Sequence, residues 1–170
     1  MTQQIRFATK EDLSGLMPLF EAAVAYFKGA GIPQWQDGYP SEETILGDIL
    51  AGRTLVLEEN GKILATLAFC PGNEPTYNRI YEGAWQTPET YVALHRVAVD
   101  PVYKGGGLGG KMIEYAANLA KSQGIGALRG DTHRQNASMR RLLEKNGFVY
   151  RGIIYLENGD ERIAFDRLLG

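Results

Sequence analysis

The chain has one cysteine in 170 residues, Cys70. A lone thiol forms no internal disulfide and no paired-cysteine metal motif, which excludes disulfide scaffolds and zinc ribbons and gives no sign of an oxidising compartment. No run of about 18 apolar residues occurs, so a transmembrane helix is not expected. The opening Met1-Thr2-Gln3-Gln4-Ile5-Arg6 has no apolar stretch of secretory-signal length, and the expected location is cytoplasmic. An excess of either charge is also missing. With 18 Lys and Arg against 20 Asp and Glu, the formal charge of -2 gives no general attraction to nucleic acid or anionic membrane, although a local basic patch still binds a phosphate. Neither nucleic acid, membrane nor metal is an expected partner. Internal repeats, linkers and low-complexity tracts are absent as well.

What is there is an average globular composition, 44% hydrophobic and 22% charged. At this length a chain buries roughly 70% of the surface it exposes when unfolded, so one core suffices and a single domain over 1–170 is expected.

A short strand, Ile5 to Ala8, runs into Thr9 and Asp12, a capping-box-like pair. Leu13, Leu16, Leu19, Phe20, Ala23 and Phe27 then recur at helical spacing, which predicts a helix over 10–28 despite Gly15 and Pro18. After the loop from Ile32 to Pro40, Ser41 opens a second helix carrying Ile45, Ile49 and Leu50. Arg53 to Glu59 and Lys62 to Cys70 are β-rich runs joined by Asn60-Gly61, a dipeptide suited to a type I′ hairpin turn. Pro71 to Pro88 reads as a long irregular connection before a strand from Tyr91 to Val99. Met112, Ile113, Ala116, Leu119 and Ala120 face one side of a helix stopped by Gly124, and Ile125 to Asp131 is a strand. Asn136 to Lys145 is a helix ended by Asn146-Gly147, and two last strands flank Asn158-Gly159. The order βααβββαβαββ predicts a mixed α/β fold, a mostly antiparallel sheet of about seven strands with one parallel crossover, flanked by four helices.

The densest signal is Val97-Ala98-Val99-Asp100-Pro101-Val102-Tyr103-Lys104-Gly105-Gly106-Gly107-Leu108-Gly109-Gly110-Lys111, a strand, a turn, a glycine cluster and a helix start. Glycines there let backbone N–H groups approach an anion, and a helix N-terminus adds partial positive charge. Gly105-x-Gly107-x-x-Gly110 fits the dinucleotide-binding spacing, with Asp131 about 20 residues later. Against that, Asp100 to Lys104 separate the glycines from the strand, and the chain beyond Asp131 is too short for the rest of a doubly wound sheet. Dinucleotide binding is the runner-up.

The same loop, read as Lys104-x-x-Gly107-x-Gly109, resembles the pyrophosphate loop of the GNAT acetyltransferase superfamily. Val97-Ala98-Val99-Asp100-Pro101 is similar to that family's central strand and turn, and Asn136 through Phe148 resembles its following helix, ending in Gly-Phe. The likeness is sharpest over 92–168. It implies an acetyl-CoA-dependent N-acetyltransferase acting on a primary amine of a small molecule or peptide by direct attack in a ternary complex. It also implies that the backbone of Val97, Ala98 and Val99 pairs with pantetheine, that Lys104, Gly105, Gly106, Gly107, Leu108, Gly109 and Gly110 hold pyrophosphate, that Asn136 reaches the pantetheine, and that Lys145 meets a CoA phosphate. Seven residues after Asn136, many relatives carry a Tyr thought to protonate the departing thiolate, and here the residue is Leu143. Leucine donates no proton, so Tyr155, His133 or water must serve, or the thiolate leaves unassisted; a non-catalytic CoA-binding module is the alternative.

Acetyl transfer needs a neutral amine and hence a proton acceptor. Strand alternation puts His95 on one face with Val97 and Val99, and puts Asp131 with His133 at the end of the next strand. His133 oriented by Asp131 is the preferred pair, with His95 nearby. The competing reading makes the histidines hydrogen-bonded structural residues and Asp131 a loop cap. Trp35, Tyr39, Tyr77, Tyr81 and Trp85 fall in the two connections that border the acceptor entrance in such folds. Trp35, Tyr39, Glu82 and Trp85 are therefore candidate substrate residues, with Asp37 or Glu82 available to an ammonium, unless the aromatics only pack their loops. A homodimer is allowed, but no apolar stripe demands one.

Overall fold

The computed structural model describes residues 2–88 and 90–170; Met1, at the head of the opening stretch read above, and Glu89 lie outside the described residues. The elements run β1 (Gln3–Phe7), α1 (Leu13–Gly29), α2 (Glu42–Leu50), β2 (Thr54–Glu59), β3 (Lys62–Pro71), β4 (Val92–Val99), α3 (Leu108–Ser122), β5 (Ala127–Thr132), α4 (Ala137–Lys145), β6 (Val149–Tyr155) and β7 (Glu161–Leu168). This is the expected βααβββαβαββ order. The seven strands form one sheet in the order β1-β2-β3-β4-β5-β7-β6, with β4 parallel to β5. None of the described helices is long and apolar enough to cross a membrane.

The chain divides into two compact units, Met1–Phe69 with Arg96–Tyr115 and Cys70–His95 with Ala116–Gly170. Strand β4 and helix α3 each contribute residues to both.

In the first unit, Asn60 and Gly61 take φ of 53° and 80°, the type I′ geometry that joins β2 to β3. The first helix starts later than its pattern suggests, because Lys10–Asp12 is a 3-10 turn. Asp12 turns its carboxylate back to the Thr9 amide at 2.7 Å and to Arg6 at 2.8 Å, which closes that turn. Ser41 caps α2, its Oγ accepting from the Thr44 amide at 3.1 Å. Leu16, Leu19 and Phe20 of α1 and Ile45 and Ile49 of α2 bury against Val56, Ile63 and Ala98 of the sheet. Arg96 sits in β4 with φ of 50°, a conformation that non-glycine residues adopt rarely. Its guanidinium is held by Asp48 at 2.6 and 3.0 Å and donates to the Tyr39 hydroxyl at 2.7 Å. Burial opposes its charge, but Tyr39 and Asp48 more than offset this and leave its pKa raised.

In the second unit, the register of β4 on β5 consists of Val92 with Leu128 and Ala93 with Arg129. Beyond that point β5 continues in register with β7, out to Thr132 opposite Ile163. The long connection before β4 is irregular yet firmly held. Asp166, 1% exposed, accepts from Arg151 Nε at 2.6 Å, from the Gln86 and Thr87 amides at 2.8 and 3.1 Å, and from Thr87 Oγ1 at 3.1 Å. Arg129, 4% exposed, lies between the rings of Trp85 and Tyr91, 4.2 and 4.1 Å from their centroids. It donates to Thr87 Oγ1 and to the carbonyls of Thr87 and Pro88 at 3.0, 3.1 and 3.0 Å.

The same connection straps β6, the last strand in the sheet order. Tyr81 and Ile153 exchange both backbone hydrogen bonds at 2.8 Å, and the Ala84 amide donates to Arg151 O at 3.1 Å. Glycine is required for this approach, since a Cβ on Gly83 would lie 1.8 Å from Arg151 O and one on Gly152 would lie 2.5 Å from Tyr81 O. Capping a strand edge in this way also removes a template for intermolecular pairing. Gly83→Ala is expected to destabilise the protein by about 1–3 kcal/mol in denaturant unfolding, with faster amide exchange at Tyr81 and Ile153.

Candidate active site

The glycine loop belongs to the first unit. Asp100 accepts from the Val102 amide at 3.0 Å to start a 3-10 turn, and Gly106 N closes on Tyr103 O at 3.1 Å. Gly105 and Gly107 both take φ of 82°, the left-handed region that side chains disfavour. Helix α3 then begins at Leu108, with Lys111 N donating to Gly107 O at 3.1 Å. Gly109 and Gly110 therefore form the first turn of the helix rather than part of the loop. The amides of Leu108, Gly109 and Gly110 stand at the N-terminus of a 15-residue helix, where no carbonyl of the preceding turn can take them. The Lys104 ammonium lies over the Tyr26 ring, its Nζ 4.1 Å from the centroid. A helix N-terminus of this kind suits an anion by its dipole and its amides. Upstream on β4, Ala98 is buried while Val97 and Val99 are half-buried. The positive φ of Arg96 interrupts the alternation that put His95 on one face with Val97 and Val99.

In the second unit Asn136 caps α4, its Oδ1 accepting from the Met139 amide at 3.1 Å, and is itself buried. Lys145 is exposed at the last residue of α4. Leu143 is 1% exposed, a core residue with no polar atom to offer a leaving group.

Four side chains converge near the end of the β4–β5 register. His95 Nε2 is 3.0 Å from Glu74 Oε2, and its Nδ1 is 3.9 Å from Asp131 Oδ1. The Tyr77 hydroxyl donates to that same Asp131 oxygen at 2.5 Å. Burial, and then the negative charge of Asp131, push the Tyr77 phenol well above its ordinary value of 10.0, so it remains a proton donor to the carboxylate.

The expected pairing of His133 with Asp131 is corrected. Strand β5 ends at Thr132, so alternation does not carry on to His133. That ring instead accepts from the Gln135 amide at 3.1 Å, and its main charged neighbours are Arg162, Arg134, Glu161 and Asp160. Burial, then Arg162 and Arg134, hold its pKa below 6.5. Sequence reasoning singled out His95 and Asp131 as candidates and did not include Glu74, which lies in the irregular connection and carries no periodic signal.

Among the candidate substrate residues, Trp35 has φ of 59° and packs its ring on Phe20, Phe27 and Tyr39 at 6.0, 5.5 and 6.3 Å. Trp85 donates its indole N–H to Tyr77 O at 2.9 Å and covers Arg129. Both tryptophans thus anchor their loops. Tyr39 and Glu82 are exposed. Among the described residues no group of three or more His, Cys, Asp or Glu side chains is arranged to hold a metal ion.

A model of the acetyltransferase (GNAT) family matches residues 18–148. A GNAT-family acetyltransferase of known crystal structure from Streptococcus agalactiae is 33% identical and superposes with a TM-score of 0.89, covering 99% of this chain and 96% of that one. An L-methionine sulfoximine/L-methionine sulfone acetyltransferase of Salmonella typhimurium is 26% identical over 152 residues, 85% of this chain and 79% of that protein. An L-amino acid N-acyltransferase of Escherichia coli is 29% identical over 146 residues, 85% of this chain and 78% of that protein.

The depressed pKa of His133 makes a signed prediction. Below pH 6.5 the unfolded chain binds this proton more readily than the folded one, so stability is full above that pH and falls as the pH drops through it. Replacing His133 with Gln should flatten that part of the stability profile between about pH 7 and 5, measured by urea unfolding at each pH.

Proposed function

Since the chain belongs to the acetyltransferase (GNAT) family and is an acyltransferase, we propose that it transfers the acetyl group of acetyl-CoA to the primary amine of a small molecule or peptide, by direct attack in a ternary complex. The observation that carries this reading is the glycine loop. Its amides, the α3 N-terminus and Lys104 suit a pyrophosphate, whereas strands β5, β7 and β6 pair antiparallel, unlike the parallel sheet of a dinucleotide fold. In this reading Gly105 to Gly110 and Lys104 hold the pyrophosphate, and the backbone of Val97, Ala98 and Val99 pairs with the pantetheine arm. Asn136 and Lys145 add a pantetheine contact and a phosphate contact.

Acetyl-CoA supplies a thioester carbonyl as electrophile, and the protein must supply a neutral amine. His95 is the candidate proton acceptor, because its ring lies between the carboxylates of Glu74 and Asp131, while burial, Arg162 and Arg134 lower the pKa of His133. Asp131, which accepts the Tyr77 hydroxyl, is suited to an incoming ammonium, and Glu82 is exposed for the rest of the acceptor. The two amino-acid acyltransferases among the relatives favour a small amino acid or its analogue as the acceptor. With Leu143 in the core, the departing thiolate takes its proton from the His95 imidazolium or from water.

Calorimetric titration should give saturable binding of acetyl-CoA and none of NAD, and Gly107→Val should weaken acetyl-CoA at least about tenfold, because a branched side chain at φ of 82° distorts the cradle. With L-methionine sulfone and a panel of amino acids and peptides, mass spectrometry should find an acetylated amine matched to free-thiol release. Failure to bind acetyl-CoA overturns the donor assignment. Thiol release without any acetylated amine overturns the acceptor class in favour of thioester hydrolysis.

A further inference from the structure

We propose that Glu74 is a positioning residue for His95, tying Nε2 so that Nδ1 is the atom that takes the amine proton beside Asp131. The inference rests on the reading of His95 as the proton acceptor and adds which nitrogen acts and what orients it.

The two ring nitrogens are not equivalent. A carboxylate offers only lone pairs, so the 3.0 Å contact with Glu74 Oε2 places the hydrogen of the neutral ring on Nε2. Nδ1 is then the bare nitrogen. At 3.9 Å from Asp131 Oδ1 it is outside hydrogen-bond reach, and that oxygen already receives the Tyr77 hydroxyl at 2.5 Å. Among the described residues Nδ1 has no hydrogen-bond partner, yet a carboxylate stands next to it. An amine nitrogen placed there can present one N–H to Nδ1 and another to Asp131.

One short turn sets both arrangements. The Tyr77 amide donates to Glu74 O at 2.9 Å, closing the 3-10 turn Pro75–Tyr77. Glu74 enters that turn with its own amide on the Tyr91 hydroxyl at 2.8 Å, and Tyr77 leaves it with its carbonyl accepting from the Trp85 indole at 2.9 Å. The turn therefore delivers one carboxylate to Nε2 and one phenol to Asp131 together. Surface ion pairs seldom come with this much backing, and the His95 and Glu74 side chains are only 19% and 29% exposed.

In the step itself the amine lone pair forms an N–C bond to the thioester carbonyl and the C–S bond breaks, its electrons leaving on sulfur as thiolate. The surplus amine proton passes to Nδ1. The imidazolium so formed keeps its Nε2–H on Glu74, whose negative charge stabilises it, and Nδ1–H then returns the proton to the thiolate or to water.

The chain has two histidines, so a 15N-labelled sample shows two imidazoles and His133→Gln assigns them. In the neutral ring the unmodified protein should carry the His95 hydrogen on Nε2. In Glu74→Gln that preference should weaken, with hydrogen appearing on Nδ1 as well. For acetyl transfer to L-methionine sulfone kcat should drop about tenfold or more while KM for acetyl-CoA stays within about twofold. Glu74→Asp should recover part of the loss. Hydrogen on Nδ1 of the neutral ring in the unmodified protein, or an unmoved tautomer in Glu74→Gln, overturns the proposal; the first is read without any variant having to fold. Full activity with an unchanged pH profile in His95→Gln overturns the underlying reading instead. Loss of activity in His95→Gln beside an unaffected Glu74→Gln removes Glu74 alone.

Discussion

A buried guanidinium governs the second unit. Taking Arg129 out of water is costly unless its charge and its donors are met, and a lone sheet position cannot meet them. The solution is to fold the connection before β4 over it, with two aromatic rings on its faces and a threonine hydroxyl and two carbonyls on its N–H groups. Asp166, its cross-strand neighbour in register, repeats the logic with opposite sign by accepting four hydrogen bonds, three of them from the same stretch. A segment with no periodicity thus acquires a fixed course. Trp85 passes that order on to Tyr77 through its indole hydrogen bond, and Tyr77 and Glu74 reach Asp131 and His95 from a single turn. The placement of these four side chains therefore follows from the burial of one cation.

Two kinds of structure meet in this chain. A contiguous run of glycines at a helix start gives backbone amides and positive φ, a local arrangement. Side chains of chosen charge around one ring come from positions 74, 77, 95 and 131, which lie far apart in sequence. The two histidines illustrate the difference. His133 sits near Arg134 and Arg162, which with burial oppose a positive ring, while His95 lies between the carboxylates of Glu74 and Asp131.

By itself the sequence determined the element order, the hairpin turn at Asn60-Gly61, the caps at Ser41 and Asn136 and the glycine turn before α3, because each is a local matter of propensity, periodicity or φ written in adjacent residues. Boundaries moved where side chains intervened, as when Asp12 turned back to Arg6 and Thr9 and delayed α1. Tertiary structure alone decided the partner of Asp131, since strand alternation pointed to His133 but β5 stops at Thr132. It also decided that Trp35 and Trp85 anchor loops, and that Glu74, 21 residues from His95 in sequence, meets its ring. These outcomes depend on where buried charges find their partners, and that energy is shared between segments whose separation along the chain carries no pattern.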